Sequence, residues 1–100
     1  MPIGDFINAI PAWGFLLIHL AAFAIGAYFA WRSFNVDATT LGWGFSLFAL
    51  AEISYMTYHL DWTTFLFAHT ISEVLDAVAF VLVFVAATRS VLAAAMAPSR

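Results

Sequence analysis

The chain reads as an all-α integral membrane protein, an antiparallel up-down bundle of three transmembrane helices, and three observations predict it. Apolar residues make up 65% of the 100 positions and charged residues 9%, whereas about a quarter of the residues in a soluble domain are charged. Three stretches, 11–32, 40–60 and 64–88, each reach the roughly 20 predominantly apolar residues that cross a bilayer. The polar segments between them, Ser33 to Ala38 and Asp61 to Thr63, are short, which makes successive helices antiparallel neighbours.

The first ten residues carry Ile3, Phe6, Ile7 and Ile10 at helix-like spacing beside Asp5 and Asn8, and predict a turn or two lying at the membrane interface. No Lys or Arg precedes the first apolar run, so it lacks the basic leader of a cleaved signal peptide and is expected to be retained. Pro11 suits the start of the first helix, where a missing N–H costs nothing. Thr39 or Thr40 is the expected N-cap of the second helix, and Asp61 or Thr63 that of the third. Residues 89–100 are left as a tail.

Eleven Phe, four Trp and three Tyr offer more apolar surface than a domain this small can bury, so lipid or other membrane subunits must cover the rest. Arg32, Arg89 and the terminal Arg100 fall on one side of a three-span chain. Because cytoplasmic flanks retain positive charge, that side is expected to be the cytoplasm, with the N-terminus outside. The expected location is the plasma (inner) membrane of a prokaryote. Trp13, Trp31, Trp43 and Trp62 sit near helix ends, as in interfacial aromatic belts. The absence of cysteine excludes disulfides and thiol chemistry, and three Arg, no Lys and a net charge of −3 argue against nucleic acid as a partner.

Against this apolar background stand His19, Glu52, His69, Glu73 and Asp76, with His59 near an outer end. A charge at the bilayer centre costs roughly 2.5–3.5 kcal/mol on the lenient insertion scale, so these groups must be protonated, paired, metal-bound or turned from lipid. At about 1.5 Å per residue, His19, Glu52, His69 and Glu73 lie about 8–14 Å from the outer helix ends, in one layer. His69, Glu73 and Asp76 share one helix face, as do Glu52, Tyr55 and His59. His19 shares its face with Ala22, Gly26 and Ala30, a small-residue ridge that lets helices approach closely. The expected arrangement puts His19, Glu52, His69 and Glu73 around one point, with Tyr55, His59 and Asp61 above and Asp76 below.

Several chemistries fit that layer. Two imidazoles and two carboxylates would complete four-coordination of a transition metal (Zn, Cu, Fe or Mn), making His19, Glu52, His69 and Glu73 the candidate ligands, with Tyr55, His59 and Asp76 supporting them. A haem or chlorophyll-type ring on His19 and His59 or His69 is the alternative, opposed by the bulky Phe15, Tyr55 and Phe65 one turn before each histidine. A proton relay through His59 and Asp61 is a third, but Ala77 to Phe84 offers no polar group to continue it inward. Without any ligand, the same residues serve as interhelical hydrogen bonds, which hold helices together where lipid supplies no hydrophobic drive. No nucleophile–base spacing or phosphate loop marks a catalytic site, and Ser46, Ser54 and Ser72 are expected to bond their own helix backbones.

Gly44-Phe45-Ser46-Leu47, Glu52 and His69-Thr70-Ile71-Ser72-Glu73 together resemble a group of small, uncharacterised three-helix integral membrane proteins. The resemblance covers the last two helices and implies the same topology without an activity. The functional expectation is a small accessory subunit of a membrane complex or homo-oligomer, with the outer His and carboxylate cluster as its candidate site and no catalysis by this chain alone.

Overall fold

A computed structural model of the chain describes residues 3–98 and contains a 3₁₀ turn, Asp5–Ala9, followed by three α-helices: α1 (Ala12–Asn35), α2 (Thr39–His59) and α3 (Phe65–Met96). The all-α, three-helix class is as expected. By length and composition α1 and α3 are apolar enough to cross a membrane. The second helix falls short of that standard, since Glu52, His59 and its Ser, Thr and Tyr residues dilute its apolar character.

Several boundaries differ from the sequence reading. Pro11 is the N-cap of α1 and its carbonyl accepts from Gly14 and Phe15. Thr39 is the first residue of α2, after Ala38 as N-cap. Thr64 caps α3, its hydroxyl accepting from the Phe67 amide at 3.4 Å. Residues 89–96, expected in a tail, continue α3, because Val91 to Met96 is a run of strong helix formers with no Gly or Pro to stop it. At about 1.5 Å per residue, 32 residues make a rod of about 48 Å, well beyond a 30 Å hydrocarbon core. Arg100 lies outside the described residues.

The two helix–helix connections are built alike. After α1, the Ala38 amide donates to Ser33 and the Asp37 amide to Phe34; after α2, the Trp62 amide donates to Thr57 and the Asp61 amide to Tyr58. Both are Schellman endings, in which the residue just past the helix adopts the left-handed conformation. Asp37 (φ 60°) and Asp61 (φ 63°) occupy that position, so Asp61 terminates α2 where an N-cap for α3 was expected. Ser33-Phe34-Asn35-Val36-Asp37 and Thr57-Tyr58-His59-Leu60-Asp61 share one pattern of hydroxyl, aromatic, polar, aliphatic and aspartate residues.

The second helix is central: α1 and α3 each pack on it and, among the described residues, not on one another. Its interfaces are built from small side chains, with Gly26, Ala30 and Ser33 buried on α1, Gly42, Gly44, Ala49 and Ala51 on α2, and Ala68, Ser72 and Ala79 on α3. Close backbone approach is how helices associate when lipid removes the hydrophobic drive. A Cβ at Gly26 would stand 2.7 Å from the Phe48 ring, and one at Gly44 would stand 2.7 Å from Val83 and 3.2 Å from the Ala79 carbonyl. Two serines bridge α2 and α3: Ser72 donates to the Ala51 carbonyl at 2.9 Å and Ser54 to the Ala68 carbonyl at 3.2 Å. Of the three serines expected to bond within their own helix, only Ser46 does so, to Gly42 at 2.8 Å.

Candidate functional site

The small-residue interfaces leave a trough over α2 between α1 and α3, and the polar residues of all three helices meet in its upper half. On α1, the ridge through Gly26 and Ala30 seats the helix against α2 and turns His19, on the same face, toward that helix. The His19 Nδ1 lies 2.5 Å from the Glu52 Oε2, short enough for a charge-assisted hydrogen bond. Glu52 is the large exception among the small buried residues, only 8% exposed. The pair spans the α1–α2 interface and is the polar tie of that interface among the described residues.

Tyr55 lies one turn after Glu52 and is the hub of the network. Its ring stacks on His19 (centroids 5.0 Å apart) and meets His69 of α3 at 6.4 Å, while its hydroxyl donates to Glu73 at 3.2 Å. His59 stacks on His19 at 5.3 Å and on Phe15 at 5.0 Å, and His69 stacks on Phe65 at 5.1 Å. Beyond His59, the opening at that end of the bundle is lined by Ala12, Phe15, Tyr58, His59 and Asp61.

His19, Glu52, Tyr55, His59, His69 and Glu73 thus form one connected network, as their shared depth implied. Tyr55 is central to it, not above it: one aromatic ring contacts the histidines of both flanking helices. Among the described residues no group of three or more His, Cys, Asp or Glu side chains is placed to hold a metal ion. The four residues expected as ligands do not converge on one point: His19 bonds Glu52, while His69 and Glu73 each meet Tyr55. Sequence spacing gives the turn a residue occupies but not the volume of the ring beside it, which is why this partition was not foreseen. The aromatic residues that opposed a tetrapyrrole do cover the imidazoles, although Phe15 lies on His59 and Tyr55 on His19, across the interface from the partners their sequence offsets suggested.

Two carboxylates lack strong partners. Glu73 is exposed on α3 and, among the described residues, accepts only the Tyr55 hydroxyl. Asp76, one turn further along, lines a cleft of about 480 Å³ in the lower half of the trough, and its Oδ1 is buried without a hydrogen-bond partner. This cleft, walled by Phe29, Phe45, Phe48 and Phe80 around Gly26 and Gly44, had no counterpart in the sequence reading. Its signal was the offset of aromatic residues against glycines on facing helices.

Comparison with protein-family models, with curated proteins and with solved structures finds no match to this chain. Fold and site define a small all-α protein with two helices long and apolar enough to cross a membrane, organised around a buried His–Glu pair.

Proposed function

We propose that the chain is a three-span membrane protein, with its N-terminus outside and α3 ending in the cytoplasm, that serves as an accessory subunit of a larger membrane assembly or a homo-oligomer. The apolar windows of α1 and α3 are only 6% buried within the chain, which supports an apolar surrounding for both, since a soluble core helix is covered by its own fold. The four tryptophans are all exposed. Trp13 and Trp31 on α1 are separated by about 27 Å at helical rise, close to the thickness of a hydrocarbon core, and Trp43 and Trp62 stand near the two ends of α2. That spacing supports placing α2 in the membrane with its neighbours. Arg32 and Arg89 belong to the same end, since the α1–α2 connection and Ala86 to Ser90 of α3 line one cleft; by the positive-inside rule that end faces the cytoplasm.

The observation that carries the subunit reading is Glu73. A carboxylate exposed on a membrane helix with one neutral hydroxyl as its partner is expensive in lipid and inexpensive against a neighbouring helix that supplies a donor. The His19–Glu52 pair ties α1 to α2 and two serines tie α2 to α3, and Glu73 is the polar group left for an adjoining subunit. Native-membrane crosslinking followed by mass measurement tests this. Species larger than the 11.0 kDa chain are expected, and Glu73→Val is expected to reduce them to single chains. Wild-type protein that crosslinks to nothing would overturn the reading. For topology, a membrane-impermeant maleimide should label Phe6→Cys from outside and Ser90→Cys only after permeabilisation, and the cysteine-free background leaves no other target.

A further inference from the structure

We propose that the aromatic cleft below the polar network binds a lipophilic organic cation, a protonated amine or onium group carried on an apolar body, with Asp76 as its counter-ion. The cleft is about 480 Å³, within the range of sites that enclose small molecules, and like them it is apolar except for one placed polar group. That group is a carboxylate whose Oδ1 is buried and has no hydrogen-bond partner. Buried polar atoms are almost always satisfied, so an orphan at the edge of a cavity marks where a ligand atom belongs.

Charge decides the class of ligand. Asp76 lies within electrostatic reach of Glu52 and Glu73, two further carboxylates. The nearest imidazole on α1, His19, is already engaged by Glu52. Arg89 stands 13 positions further along the same helix, about 20 Å away at helical rise, and Arg32 is at that same distant end. A second copy of the chain in the same orientation would bring its arginines to that end as well and could not neutralise Asp76. A neutral acyl chain would fill the volume but leave the carboxylate unpaired. A cation on an apolar body meets both demands, because four of the residues lining the cleft are phenylalanines. Phe29 and Phe45 lie 5.5 Å apart, and aromatic faces attract cations most strongly where water is excluded. The inference is independent of the subunit reading, which concerns the exposed Glu73.

Tetraphenylphosphonium is a suitable probe, with equilibrium dialysis against the purified full chain in non-ionic detergent micelles and protein-free micelles as the blank. Saturable uptake of one cation per chain is expected. Asp76→Asn, which keeps the shape and removes the charge, should weaken binding about tenfold or more, and the neutral triphenylphosphine oxide should bind the wild type weaker by about the same factor. Ile25→Trp enlarges a cleft-lining side chain that is 57% exposed, away from the packed interfaces, and should block the site while leaving helix content intact. It therefore decides the matter even if Asp76→Asn fails to fold. Uptake no greater than that of empty micelles, or Ile25→Trp binding like wild type, would overturn the proposal. So would equal binding by a folded Asp76→Asn variant or by the neutral analogue.

Discussion

Removing the His19 imidazole is the most informative single perturbation, because it leaves Glu52 in place without its partner. In His19→Ala the Glu52 side chain remains at the α1–α2 interface, 8% exposed, having lost the contact made at 2.5 Å. Breaking a buried pair by deleting one member costs about 3–5 kcal/mol, because the remaining polar group is uncompensated. The two side chains keep 19% and 11% exposure, so the expected destabilisation lies at the low end of that range, about 3 kcal/mol, the packing lost against Tyr55 included. Glu52→Gln keeps the shape and a neutral hydrogen bond and should cost only about 1 kcal/mol. Reversible unfolding in mixed micelles, titrated with SDS and followed by far-UV circular dichroism, measures these differences. A His19→Ala penalty below about 1 kcal/mol would show that Glu52 does not depend on His19.

The same assay reads the remaining predictions. Ser72→Ala removes the hydroxyl that bridges to the Ala51 carbonyl and should cost about 0.6–1.7 kcal/mol, the range for hydrogen bonds between membrane helices; a bulkier Ser72→Leu should separate α2 from α3 and abolish cooperative unfolding. Gly44→Ala meets the Ala79 backbone as well as Val83, so the overpacking penalty of about 1–3 kcal/mol should outweigh the roughly 1 kcal/mol gain in helix propensity, and unchanged stability would mean that α3 can draw back. Tyr55→Phe keeps the stacking on His19 but removes the bond to Glu73, a loss of about 0.6 kcal/mol, whereas Tyr55→Ala should cost several times more. Asp61→Gly relaxes a left-handed position and should raise stability by up to about 1 kcal/mol, with no change if the aspartate is already free of strain.

Depth along a helix was legible in the sequence, because rise per residue is nearly constant: His19, Glu52, His69 and Glu73 do meet in one layer. The Ala22, Gly26 and Ala30 ridge correctly marked the side of α1 that carries Gly26 and Ala30 into the α2 interface. Direction across the bundle was only half legible. Whether Ser54 and Ser72 donate to their own helix or across an interface depends on how closely two backbones approach, and that follows from glycines and alanines on the other helix. The hub position of Tyr55 depends likewise on ring volume. The left-handed Asp37 and Asp61 were missed for another reason: the first is read as a loop residue and the second as an N-cap, and only the repeated hydroxyl–aromatic–polar–aliphatic pattern before each identifies it as a helix terminator.

Because α1 and α3 touch α2 but not each other, either outer helix can pivot about the central one without breaking a contact to the other. The width of the trough is therefore set by how each outer helix seats on α2 and not by a closed ring of packing. Two seams of small residues decide that seating, one on each side of the central helix, with Gly26 against Phe48 on the first and Gly44, Ser54 and Ser72 along the second.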